Sequence, residues 1–219
     1  MRTLALRGVL LLALLAAALA IGLYWASRSE AVLAWGVERL AARLPGKLTL
    51  TGLRGALDRP IAIAALDYEQ DGLRVSARNV ALDWAPWALL LADQLSIRNL
   101  SADSVTLTTG GGGKAKRQPP ASLRLPLAVR VDRLALGALR VEGGAAPLEI
   151  GAIVLTYEGG PRFHRLQLER LVSQWGELAG TLRLQAEHPF TLDGAATLSS
   201  GALPEWPLQA KLALQGTLE

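Results

Sequence analysis

The sequence predicts a mainly β fold: an N-terminal transmembrane helix and an amphipathic helix, followed by an elongated, curled antiparallel β-sheet with an apolar groove. Three observations point there. Residues 8–27 form an uncharged apolar run. From Lys47 onward the apolar period changes from 3.6 to 2 and stays there. Beyond residue 46 only Pro86 to Leu91 (PWALLL) reads as further helix, so one apolar sheet face has almost nothing to cover it. Such a face must pack on a second sheet, curl on itself or bind something apolar. The missing cover helices favour a groove over a closed sandwich.

The run Gly8 to Ser27, GVLLLALLAAALAIGLYWAS, lies between Arg7 and Arg28. As a helix at ~1.5 Å per residue it is about 30 Å long, the thickness of a hydrocarbon core. Arg2 and Arg7 precede it, so residues 1–7 are expected in the cytoplasm and everything after Trp25 is expected to be exported. Tyr24 and Trp25 fall at the exit interface, where amphipathic rings prefer to sit. Ala18-Leu19-Ala20 supplies an A-x-A-like cleavage site. The apolar run nevertheless exceeds a signal peptide's usual ~7–15 residues, so a retained, single-pass anchor is expected.

Composition agrees with an exported chain. The 219 residues leave room, beyond the anchor, for one sizeable domain or an elongated module. There is no cysteine, hence no disulfide framework and no thiolate metal site. The net charge is +4 and the pI about 9.8, but the basic residues are scattered along strands with no basic aromatic face. Nucleic acid is therefore excluded as a partner.

Residues 28–46 form the juxtamembrane amphipathic helix. Ser27 followed three residues later by Glu30 is a capping-box pattern. Val32, Leu33, Gly36, Val37, Leu40 and Leu44 recur at helical spacing, with Glu38, Arg39 and Arg43 mostly off that stripe. Pro45-Gly46 ends it. This helix is expected to plug the apolar end of the sheet, with a place on the membrane surface as the alternative.

Residues 47–219 are the β region. Gly52, Gly55 and Pro60 are expected to set its first turn, with Gly55 in a conformation closed to side chains. Gln70-Asp71-Gly72 signals a hairpin. The apolar-face candidates, paired by their alternation, are Leu73 and Val75, Leu82 and Trp84, Leu95 and Ile97, Val105 and Leu107. The clearest run follows: Leu123, Leu125, Leu127, Val129 and Val131, set against Arg124, Pro126, Ala128, Arg130 and Asp132. Leu182 and Leu184, then Leu212 and Leu214, complete the set. A one-residue phase slip at Arg78-Asn79 suits a β-bulge. The stretch 110–122, GGGGKAKRQPPAS, reads as a basic linker or long hairpin loop.

Catalytic chemistry is thin. A phosphate-binding loop at Lys114 would need glycine at Thr108 and serine or threonine at Ala115. His164 and His188 stand in no metal-ligand spacing, no nucleophile elbow exists, and the carboxylates Asp58, Asp67, Glu69 and Asp71 cluster near a turn where solvation explains them. No catalytic residue, no metal and no cofactor is expected, and the protein is read as not an enzyme.

Gly52-Leu53-Arg54-Gly55-Ala56-Leu57, then Pro60 and Ile61-Ala62-Ile63, resembles the opening of TamB-like proteins in the AsmA-like superfamily. So does the order that follows: Tyr68, Asp71-Gly72, Val75, Leu82-Asp83-Trp84, Pro86, Leu89-Leu90, Leu95 to Leu100 and Val105 to Leu107. The resemblance covers roughly residues 1–110; later residues share only the strand pattern. TamB-like proteins are far longer and end in a β-domain that meets the outer membrane. This chain stops within an alternating strand and so reads as the N-terminal portion of such a protein.

The resemblance implies an inner-membrane-anchored, periplasmic lipid-transfer bridge. Phospholipid acyl chains would move passively along the hydrophobic groove in support of outer-membrane biogenesis. Its implied partners are the inner membrane, phospholipid and an outer-membrane barrel protein met through a C-terminal region not present here. The alternative function is an assembly factor for outer-membrane β-barrels or autotransporter secretion, working by strand pairing.

Overall fold

The computed structural model describes residues 28–42, 44–110, 122–144, 146–200 and 208–218. The expected anchor at 8–27 and most of the 110–122 loop lie outside the described residues. Among the described residues no helix is long and apolar enough to cross a membrane.

Helix α1 (Glu30–Ala41) realises the juxtamembrane amphipathic stretch. Leu33 on its apolar stripe is buried, while Glu38 and Arg39 face solvent. Its first turn is tied to the loop after the first strand: Arg28 pairs with Asp58 at 3.0 Å and the Gly55 N–H donates to Glu30 Oε1 at 3.4 Å. Glu30, expected in a local cap, thus serves a contact across the fold.

Ten strands follow: β1 (Lys47–Thr51), β2 (Ile61–Gln70), β3 (Leu73–Ala85), β4 (Gln94–Thr109), β5 (Ala128–Glu142), β6 (Leu148–Gly159), β7 (Phe163–Ser173), β8 (Gly176–Gln185), β9 (Phe190–Ser200) and β10 (Leu208–Leu218). They form one sheet in strict sequence order, with β1 and β10 at its edges. Helix α2 (Pro86–Ala92) joins β3 to β4 and packs on β4; Pro86 opens it, and Asp93 in the left-handed region (φ +48°) closes it. Asp71 (φ +48°) and Gly72 (φ +78°) form the β2–β3 turn with the paired positive angles of type I′.

Three local expectations need correction. First, the sheet is not wholly antiparallel: β4 and β5 run parallel, Leu95 beside Val129 and Ile97 beside Val131. The segment from Gly110 to Leu127 is therefore a crossover rather than a hairpin loop, because parallel neighbours need a connection that returns to the starting end. Second, Leu123, Leu125 and Leu127 are not in a strand, since β5 begins only at Ala128. Third, there is no bulge at Arg78-Asn79. β3 stays in register there with both neighbours, and the shift lies at Asp83/Trp84. Asn79 instead adopts φ +50°, and its Nδ2 donates to Asp103 Oδ2 at 2.7 Å. The slip is shared by the neighbours: Ile63 and Leu66, Ala77 and Val80, and Ala102 and Val105 all meet in one cluster, so the phase changes together and the register survives.

The sheet does not close on itself. Strands make extended interfaces only with their sheet neighbours. Among the described residues no large side chain is completely buried, which a second sheet packed across the apolar face would require. The core proper is small, centred on Ala77, Val80 and Ala102 with Ile63, Leu66, Leu100, Val105 and Leu136 around them.

Candidate functional site

Residues paired across a ladder share a face, so the registers can be followed from strand to strand. One row runs Ile61, Leu82, Leu100, Leu134, Leu155, Leu168, Gly180, Ala196, Leu212. The next runs Trp84, Ile97, Val131, Tyr157, Leu166, Leu182, Gly194, Leu214. Another joins Leu48, Tyr68, Val75, Leu107, Val141 and Leu148 on β1 to β6. Together the rows reach from β1 to β10, and ten strands at ~4.8 Å spacing make the surface about 43 Å long. The result is one apolar surface whose long axis crosses the strands.

The other face is polar. Ser96, Arg130, Glu158, Arg165, Arg183 and Asp193 form one row there. Arg130 Nη1 lies 3.7 Å from Glu158 and its Nε bonds Asp132 at 2.7 Å; these carboxylates raise the Arg130 pKa, the Asp132 hydrogen bond most. Arg98 donates from Nε to Asp83 at 3.1 Å, which holds the Asp83 carboxyl below the usual carboxylate range.

The two borders of the apolar surface differ. At the border formed by the start of β2, the end of β3, and the start of β4 and β5 sit the β1–β2 loop, α2 and a strap of crossover chain, Ser122–Leu127. The strap runs across the ends of β8, β7 and β6. The Leu123 N–H donates to Ala186 O at 3.0 Å and the Leu125 N–H to Gly160 O at 3.3 Å. Arg124 pairs with Glu187. His164 and Tyr157, both in rows of the apolar face, fasten it from the sheet side: His164 Nε2 is 2.9 Å from the Leu123 carbonyl, and Tyr157 Oη is 2.7 Å from Nδ1. The carbonyl can only accept, so Nε2 carries the proton and Nδ1 accepts from the Tyr157 hydroxyl. Burial raises the Tyr157 pKa, which keeps that hydroxyl a donor. The opposite border carries the hairpin turns at Asp71-Gly72, Gly143-Gly144 and Gln174-Trp175.

Of the residues expected on the apolar face, Val75, Leu82, Trp84, Ile97, Leu107, Val131, Leu182, Leu212 and Leu214 fall in these rows, and Leu73, Leu95, Val105, Val129 and Leu184 lie in adjoining rungs of the same face. Leu123, Leu125 and Leu127 line the strap beside them, each half-buried between exposed neighbours. Leu134, Leu155 and His164 belong to the surface too though none was expected there, and so does Leu168, which alternates with Leu166. Val131 and Leu134 share a face across a register shift, as do Leu168 and Leu171, so strict alternation loses the face at each. Gly52 (φ +67°) and Gly55 (φ +113°) shape the β1–β2 loop, where a methyl on Gly55 would lie 2.3 Å from the Pro60 carbonyl oxygen.

Compared with family models, the chain matches the N-terminal domain of TamB over residues 17–142, more than half its length. It belongs to the TamB N-terminal domain family. The TamB match takes in α1, β1 to β4, α2, the crossover and β5, and so includes the parallel step. Searches of curated proteins and of solved structures returned no match.

Proposed function

We propose that this chain is the inner-membrane-proximal section of a periplasmic lipid-transfer bridge serving outer-membrane assembly, anchored by residues 8–27. The observation that carries the reading is the unbroken apolar surface crossing all ten strands, backed by a charged face. Moving an acyl chain into water costs about 0.8 kcal/mol per methylene, on the order of 12 kcal/mol for a long chain. At 1.4 kcal/mol per tenfold, that suppresses free crossing by roughly nine orders of magnitude. A surface of leucine, valine and isoleucine side chains removes most of that cost while the headgroup stays in water. Movement along it is passive, driven by whatever loads and unloads its ends.

The test is a charge placed mid-path. Leu155→Glu puts a carboxylate in the central row, whereas Thr156→Glu puts the same charge on the polar face. In cells relying on the full-length protein, Leu155→Glu is expected to stop phospholipid delivery while the protein accumulates normally, because an open face hydrates the carboxylate when empty. Thr156→Glu is expected to be silent. Normal delivery with Leu155→Glu would rule the bridge out.

A further inference from the structure

We infer that helix α2 is a foot that rests one corner of the sheet, formed by the β1–β2 loop and the β3–β4 connection, on the surface of a phospholipid bilayer. The helix, PWALLLA, carries no charged residue. It nevertheless turns Trp87 (49% exposed) and Leu91 (86% exposed) to solvent. Four residues apart, these two stand one above the other on the same side. An outward tryptophan and leucine on a helix of this composition match the interfacial zone of a bilayer, where an indole meets headgroups and a leucine reaches the acyl boundary.

Charge and chain path choose the bilayer over a protein partner. Ile61, at the end of the β1–β2 loop, pairs with Leu82 just before α2, so that loop is the helix's neighbour on the border. It presents Arg54 and Arg59, both exposed, at the level where anionic phosphates would lie. The first turn of α1 is held on the same loop, and the uncharged Gly8–Ser27 run is separated from α1 only by Arg28 and Ser29. α1 adds Trp35, 59% exposed, with the Arg39 guanidinium 5.4 Å from its ring centroid. Trp175, also exposed, sits on a turn of the opposite border and supplies the control. A foot at α2 places the first strands of the apolar surface against the lipid they would receive, so the inference rests in part on the proposed function.

The chain has no cysteine, so Leu91→Cys and Trp175→Cys each give a single labelling site. The full chain, carrying an environment-sensitive fluorophore at one site, is reconstituted into vesicles of phosphatidylethanolamine and phosphatidylglycerol with brominated acyl chains. The Leu91 label is expected to lose about half its emission, as for a group held ~5–10 Å below the headgroups, and the Trp175 label almost none. An unquenched Leu91 label overturns the foot, and so does equal quenching at both sites. A photo-crosslinker at Leu168 in the same vesicles keeps the two readings apart. Lipid capture at Leu168 with no quenching at Leu91 removes the foot and leaves the bridge; quenching at Leu91 without capture removes the bridge and leaves the foot. Should the Leu91→Cys chain fail to fold, intrinsic fluorescence of a chain retaining Trp87 alone reads the same contact, with the same two outcomes.

Discussion

Gly55 is the residue whose backbone geometry is most demanding. At φ +113°, with the Pro60 carbonyl oxygen 2.3 Å from where a methyl would lie, any side chain is both conformationally and sterically excluded. Gly55→Ala is expected to cost about 1 kcal/mol or more in urea unfolding. Gly216→Ala, with nothing within 4 Å, should stay within about 0.5 kcal/mol; equal midpoints for the two would contradict the strain. Asp83 gives a pH signature. Arg98 holds its carboxyl below the ordinary value of 3.8, so the pair stabilises the fold above that pH and loses its contribution as pH falls through the lower, folded value. Arg98 is exposed and Asp83 partly so, which lets solvent screen the pair and keeps the effect small. Asp83→Asn should lower the unfolding midpoint near neutral pH, and its difference from the parent should shrink as acid protonates the Asp83 carboxyl. At this scale the sequence speaks only where local chemistry decides. Asp71-Gly72 announces its turn because a type I′ turn needs two positive angles. Asn79 takes the same region beside a distant partner, Asp103, whereas Asp93 takes it as the cap that closes α2.

Among the elements, the strap is the one the alternation most misrepresents. Leu123 to Val131 alternates without a break, yet only from Ala128 does it belong to the sheet. Period 2 reports which side chains face inward, and the strap keeps that parity while its backbone bonds the Ala186 and Gly160 carbonyls instead of a strand. Nothing local could distinguish the two, because the deciding partners lie far along the chain: His164 is 41 residues from Leu123. The parallel step from β4 to β5 was hidden for the same reason. The helices were easier, since α1 follows its stripe and α2 its Pro86 start. His164→Ala should release the strap. Hydrogen exchange is expected to show the Leu123 and Leu125 amides protected in the parent chain and markedly faster in the variant, with β9 and β10 unchanged. Unaltered protection at Leu123 would mean that the histidine is not its fastening.

For the whole molecule, the apolar face was legible strand by strand but not as one surface. Fourteen of the expected residues lie on that face, counted as the seventeen expected less Leu123, Leu125 and Leu127. Continuity across them depends on Leu168, which alternates with Leu166, and on Leu100, Leu134 and Leu155, which register shifts had obscured. Whether lipid follows that surface is most directly tested by site-specific photo-crosslinking in cells, scanning Leu82, Leu100, Leu134, Leu155, Leu168 and Leu212 against Asp83, Ser101, Ala135, Thr156, Gln167 and Lys211. The account predicts phospholipid adducts at all six leucines, spanning β3 to β10, and none at their polar-face neighbours. Adducts confined to one end, equal at both faces, or absent at every leucine would contradict a continuous lipid path.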